Sequence, residues 1–177
     1  MLTSIQYALD RATGPPRVPA RPYPRSTDVS TDQTRPCCGQ FAPAVLRPAE
    51  LTAFSRGGGA STIPLVTQAR GATVFLSGQT LFEGGAGIAL HVHNCPESVV
   101  IIEGDAIVEI DGQEHSLTTF DTTYVDAGVP HRFRNASDAE PMRILWIYGS
   151  VDATRTIVET GVTTRVDAEH DRPQGTT

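Results

Sequence analysis

The chain has 177 residues, a net charge of −6 and three cysteines. This length supports one domain with a real core, of a size that buries about 70% of its unfolded surface, and the acidic balance argues against a nucleic-acid partner. There is no lysine in the sequence, which excludes Schiff-base chemistry, whether direct or through pyridoxal phosphate.

Residues 1–50 read as an irregular N-terminal arm. LTSIQYALDR has the spacing of a short amphipathic helix, but GPPRVPARPYPRS and TDQTRPCCGQ carry neither a strand nor a helix period. Six arginines against four acids make the arm slightly basic, suited to lying on the acidic remainder or a neighbouring subunit, or to simple solvation. From 51 to 160 the strand signals repeat in STIPLVTQ, ATVFLSGQTLF, IALHVH, SVVIIEG, DAIVEIDG, QEHSLTTF, TTYVDAG, HRFRN and MRILWIYG. EGD, IDGQ and DAGVP supply the connections. Many short strands at this spacing indicate an all-β sandwich or barrel. Residues 161–177 read as a C-terminal tail that carries His170 away from any chemistry. The chain lacks the basic start and apolar run of a signal peptide. It also lacks an apolar stretch near the roughly 20 residues that cross a bilayer. The expectation is a cytoplasmic protein without a membrane partner.

Within IALHVH, strand alternation places His91 and His93 on one face, where both can reach a single ion. Pro96 cannot continue a central ladder, so NCP reads as a turn and Glu97 opens the next strand. His131 must come from a third strand, brought near by tertiary folding. Gly85, His91, His93, Glu97 and Gly104 stand at G-x5-H-x-H-x3-E-x6-G, the first cupin motif, and Gly128, His131 and Asn135 fit the end of the second. The chain resembles a small single-domain metal-binding cupin. Phe120 stands where that family usually has Gly and Asp126 where it has Pro, both in the stretch leading to His131.

The resemblance implies a cupin double-stranded β-helix, the jelly-roll barrel. It also implies one divalent transition metal ion held by His91, His93, Glu97 and His131. Imidazoles and a carboxylate suit Fe, which is favoured, or Mn, Ni, Co or Zn. Alternation extends the inward face to Ala89, Val99, Ile101 and Phe133, and sends Ile88, Leu90, Val92, Ser98, Val100 and Ile102 outward. Arg132 and Arg134 then point away from the pocket. Met142, Ile144, Trp146 and Tyr148 share one face of MRILWIYG; if that face is the inner one, Trp146 and Tyr148 form an aromatic wall beside the metal. Strands with two apolar faces need cover on both, which predicts a homodimer, unless other strands of the domain provide the cover. Cys37 and Cys38 are adjacent and build no disulfide framework; Cys95 follows His93 but lies past the break in alternation, near the site rather than on the metal. His115 sits by a turn and reads as solvated.

Three functions fit these residues. One is a mononuclear non-haem iron dioxygenase that cleaves a small enol, diketone or diol. The second is a non-redox isomerase, lyase, decarboxylase or polyketide cyclase, in which the ion stabilises an enolate and Glu97 serves as a base, with Asp126 a weaker candidate. The third is a small-molecule binding protein without catalysis.

Overall fold

The computed structural model describes residues 45–170. Expectations for the arm up to residue 44, with its short helix, Cys37 and Cys38, lie outside the described residues, as do 171–177 and the His170 side chain. In chain order the strands are β1 (Phe54–Gly57), β2 (Ala60–Val66), β3 (Leu76–Phe82), β4 (His91–His93), β5 (Glu97–Glu103) and β6 (Ala106–Ile110). They continue with β7 (Gln113–Leu117), β8 (Thr122–Val125), β9 (His131–Asn135), β10 (Met142–Tyr148), β11 (Thr154–Ile157) and β12 (Thr163–Arg165). The only helices among the described residues are 3-10 turns, at Pro48–Glu50, Gln68–Arg70 and Asp167–His170. No helix there is long and apolar enough to cross a membrane.

Two antiparallel six-stranded sheets form, ordered β1-β2-β3-β10-β5-β8 and β12-β11-β4-β9-β6-β7. This all-β jelly-roll arrangement follows from the period-2 pattern. In β5, Glu97, Val99 and Ile101 are buried while Ser98, Val100 and Ile102 are half-buried; β10 alternates in the same way, with Met142, Ile144, Trp146 and Tyr148 inside. The inner faces meet in a core that includes Leu76, Phe82, Val99, Ile101, Val108, Phe133 and Met142. Each such side chain contributes about 1.5–3 kcal/mol on burial. IDGQ makes the tight β6–β7 hairpin, with Asp111 (φ 50°) and Gly112 (φ 76°) both in the left-handed region that a type I′ turn requires.

Three elements depart from the sequence reading. β1, β11 and β12 are additional strands, and pairing runs past residue 160: β12 pairs with β11 and Val166 is buried, so the tail assigned to 161–177 begins with structured chain. These strands are short and polar, which hides them from a hydrophobic pattern. Second, β4 starts only at His91. Residues 88–90 are not strand, so alternation does not extend to them: Ala89, expected inward, is exposed, and Ile88, expected outward, packs against the core. Third, Phe120 takes up the left-handed backbone (φ 75°) that the usual glycine would adopt, while its side chain is 78% exposed and its N–H donates to the Ile101 carbonyl at 2.7 Å. The loop therefore carries a backbone strain of about 1–2 kcal/mol at this residue.

Replacing Phe120 with glycine should relieve that strain while removing almost no buried surface. Part of the gain is offset by the greater chain entropy of glycine in the unfolded state. The variant F120G is expected to unfold about 2–4 °C higher, for a net gain of about 1 kcal/mol, in a thermal melt. A lower melting temperature would show that the Phe120 side chain contributes contacts that outweigh the strain.

Candidate metal centre

The four side chains singled out in the sequence come together. His91, His93, Glu97 and His131 each offer one ligand atom, and these atoms lie within 4.8 Å of one another. All four are buried, with relative exposures of 2, 2, 5 and 1%. The histidines come from β4 and β9 of one sheet and the glutamate from β5 of the other, so the centre exists only where the two sheets face each other. His91 and His131 are the first residues of their strands and sit directly opposite in the register.

Their orientation is set by backbone carbonyls. His91 Nδ1 donates to the Ala89 carbonyl at 2.7 Å, and His131 Nδ1 donates to the Val129 carbonyl at 2.8 Å, the same local arrangement built twice. His93 Nδ1 donates across the sheet to the Thr154 carbonyl at 2.8 Å. The missed strand β11 is what supplies that acceptor. With Nδ1 committed in each ring, Nε2 is the atom turned to the centre, as in rings fixed for metal ligation. Asn94 secures the same junction: its Oδ1 accepts from Thr154 N at 2.8 Å and its Nδ2 donates to the Asp152 carbonyl at 3.1 Å.

Electrostatics reinforce the arrangement. His131 Nε2 lies 2.8 Å from Glu97 Oε2, and His93 Nε2 lies 3.9 Å from the same oxygen. Burial alone would raise the Glu97 pKa, but the hydrogen bond from His131 and the charges of the three imidazoles outweigh it and hold the carboxyl below its usual range. Burial would likewise lower His131, yet its bond to Glu97 raises it. His91 is pushed down to about 3, first by burial and then by His131 and His93, so its lone pair is available at neutral pH.

This donor set fits a divalent first-row ion. Two atoms each about 2.1 Å from one ion can be at most about 4.2 Å apart, so the set closes by about half an ångström around it. Three neutral nitrogens and one carboxylate match the preference of such ions and leave coordination positions for water or substrate on a six-coordinate metal.

A small cavity adjoins the donors. It holds about 20 Å³, the room of roughly one water molecule. Of the expected pocket residues, Phe133, Trp146 and Tyr148 line it. Val99 and Ile101 do not; they are buried in the core beyond the lining. Ala89 is also absent, contributing its carbonyl rather than its side chain. Tyr148 packs on His93 with ring centroids 4.6 Å apart, and Trp146 packs on Tyr148 at 4.9 Å. Trp146 can lie there because Gly78 is its register partner: a Cβ on Gly78 would overlap the indole ring. Sequence reasoning missed Arg56, Thr80, Ile88, Ile144 and Arg155, which complete the lining. The two arginines sit on strands too polar to be seen by their pattern.

Other residues separate cleanly from the centre. Asp126, the weaker acid–base candidate, is exposed, and it bonds the Tyr124 hydroxyl and raises its pKa. Cys95 is buried in the core outside the donor set, its pKa raised by burial and by Glu97. Arg132 and Arg134 face outward and pair with Glu109 and Glu114, and His115 is exposed. Asn135 is a structural clamp: its Nδ2 donates to the Glu83 and Glu140 carbonyls at 3.0 and 2.7 Å and its Oδ1 accepts from Ser137 N at 2.9 Å. A larger hollow of about 520 Å³ lies elsewhere and includes none of the four donors. Its arginines are committed, Arg70 to the Pro64 and Leu65 carbonyls and Arg165 to Asp152 and Asp167.

Residues 78–148 match the cupin domain family. The chain carries a cupin domain. No curated protein matches it. Among solved structures, it is similar to the polyketide cyclase RemF from Streptomyces resistomycificus, at 14% identity over 71% of this chain and 86% of that one, with a TM-score of 0.58. It is similar to a predicted oxalate decarboxylase from Thermotoga maritima, at 21% identity over 60% and 99% of the two chains, with a TM-score of 0.55. A cupin-superfamily sugar phosphate isomerase from Silicibacter pomeroyi gives 22% identity over 75% and 97%, with a TM-score of 0.54. At these identities the likeness concerns the fold. The family match spans β4, β5 and β9, so the cupin domain includes all four donors.

The purified protein is expected to bind close to one equivalent of divalent transition metal per chain, measured by elemental analysis. His93→Ala should lose it, whereas Cys95→Ser should keep it. Full retention in the histidine variant, or loss in the cysteine variant, would overturn the assignment of ligands.

Proposed function

We propose that this cupin is a metal-dependent enzyme acting on a small oxygenated organic substrate, and that it is a mononuclear non-haem iron dioxygenase. The carrying observation is a buried set of three oriented imidazoles and one carboxylate beside a cavity whose remaining walls are mainly apolar and aromatic. A ferrous ion bound there would supply the oxygen chemistry that no side chain can perform. His91, His93 and His131 would present Nε2 to the ion, and Glu97 would balance its charge. Phe133, Ile144 and Trp146 exclude water, and Tyr148 braces the His93 ring.

The non-redox reading has support in the solved cyclase and isomerase of similar fold. It requires a base, and Glu97 is the only carboxylate lining the cavity among the described residues. Its Oε2 is engaged with the imidazoles, 2.8 Å from His131 Nε2. A metal ligand so held is a poor acceptor for a substrate proton, which favours chemistry needing no protein base.

We also propose a homodimer through the outer face of the first sheet. Tyr124 and Ile147 flank Ser98 in one cross-strand row, and Val100 and Leu145 form the next, giving an apolar outer surface. Light scattering should report twice the chain mass, and Ile147→Glu should shift it toward one chain; a monomeric native protein would overturn this proposal.

Iron-loaded protein should consume oxygen in step with loss of a substrate drawn from a panel of small diols, enols and diketones, followed with an oxygen electrode. Conversion of such a substrate by metal-loaded protein without oxygen uptake would replace the dioxygenase with the non-redox enzyme.

A further inference from the structure

Two threonines interrupt the apolar inner face of the first sheet. Thr62 on β2 and Thr80 on β3 are direct cross-strand partners, 0% and 4% exposed. Their hydroxyl oxygens lie 3.0 Å apart. Each also meets a group that can only donate. Arg56 Nη1 donates to Thr62 Oγ1 at 3.4 Å, and Trp146 Nε1 donates to Thr80 Oγ1 at 3.1 Å. A hydroxyl has one proton and two lone pairs. Two hydroxyls bonded to each other between two pure donors therefore carry one proton for which the described residues supply no acceptor.

That surplus proton falls in one of two places. If Thr80 donates to Thr62, both Thr62 lone pairs are filled and the Thr62 proton is left over. Thr62 is fully buried and does not line the cavity, and a buried donor without an acceptor is costly. If Thr62 donates to Thr80, both Thr80 lone pairs are filled and the Thr80 proton is left over. Thr80 lines the metal cavity together with His91 and Glu97. Because that cavity has room for roughly one water molecule, a ligand in it meets Thr80 and the metal donors at once and can accept the proton.

We propose that the Thr80 hydroxyl donates a hydrogen bond to the ligand on the metal, and so selects one whose coordinating atom keeps a lone pair. The inference rests on the metal-site reading above and adds the class of ligand to it. An enolate, an alkoxide or hydroxide qualifies, because its oxygen has electron pairs left after coordination. An amine does not, because its single pair is spent on the metal. A bond from Thr80 to a charged oxygen is of the charge-assisted kind, stronger than one between neutral groups. Thr62, Arg56 and Trp146 act at one remove: they fill the acceptor positions around the pair and leave the Thr80 proton for the cavity.

Cobalt(II)-loaded protein provides a visible spectrum that reports ligand binding at the metal. Fluoride and ammonia are the probes, both close to water in size. Bound fluoride keeps lone pairs and bound ammonia keeps none. Cobalt content is read first, then each probe is titrated into the native protein and the variants T80V, T80S and T62V. T80V is expected to bind fluoride at least about tenfold more weakly than the native protein, the contribution of one charge-assisted hydrogen bond, with its ammonia affinity unchanged. T80S, which keeps the hydroxyl, should bind fluoride like the native protein. T62V should do so too, since Thr80 retains its proton. T80A carries the same test if T80V does not load cobalt. A fully loaded T80V that binds fluoride as tightly as the native protein overturns this inference alone. So does an equal loss of fluoride binding in T62V, or an equal loss of ammonia binding in T80V, either of which would place the effect in packing. A native cobalt spectrum that does not respond to fluoride also overturns it. A native protein that takes up no cobalt overturns the metal reading and this inference with it.

Discussion

Burying a carboxylate and three imidazoles within one small volume is the constraint on which the rest of the molecule depends. Outside water, an uncompensated carboxylate costs several kcal/mol, and polar groups without partners add to that cost. Glu97 is buried among His91, His93 and His131. The arrangement is tolerable because positive charge lies among the donors, in the proton shared between His131 and Glu97 or in a bound cation. A divalent ion does this better than a proton, since it engages all four groups rather than two.

The fold is organised around delivering these groups accurately. Histidine rings would be loose if they were held at Cβ alone. Each is fixed at Nδ1 by a carbonyl, two of them from the residue two positions earlier and one from β11 across the sheet. Asn94 and Asn135 lock the turns on either side, and Tyr148 packs against His93. Rigidity is thus supplied by hydrogen bonds to main chain, which do not depend on long flexible side chains.

Much of this was legible in the sequence because strand alternation and motif spacing report on the same geometry. His91, His93, Glu97 and His131 sit where a two-residue period and a proline turn place them. β5, β9 and β10 showed their inner faces by apolar periodicity, although for β10 only packing could decide which face was inner. Ala89 and Ile88 were misplaced because the period was extended into residues with no ladder partner. Val99 and Ile101 do face inward as expected, but pattern cannot tell core from cavity wall. β1 and β11 carry polar and charged residues in half-buried places, so Arg56 and Arg155 gave no signal until the register set Arg155 opposite His93. At position 120, where the family usually has Gly, Phe120 takes a positive φ and leaves its ring in solvent.

The central claim is that these four residues share one ion. X-ray absorption spectroscopy at the metal edge of the loaded protein tests it directly. The account predicts nitrogen and oxygen ligands at about 2.1 Å, multiple-scattering features of three imidazoles, and no sulfur. A sulfur ligand, or fewer imidazoles than three, would contradict it.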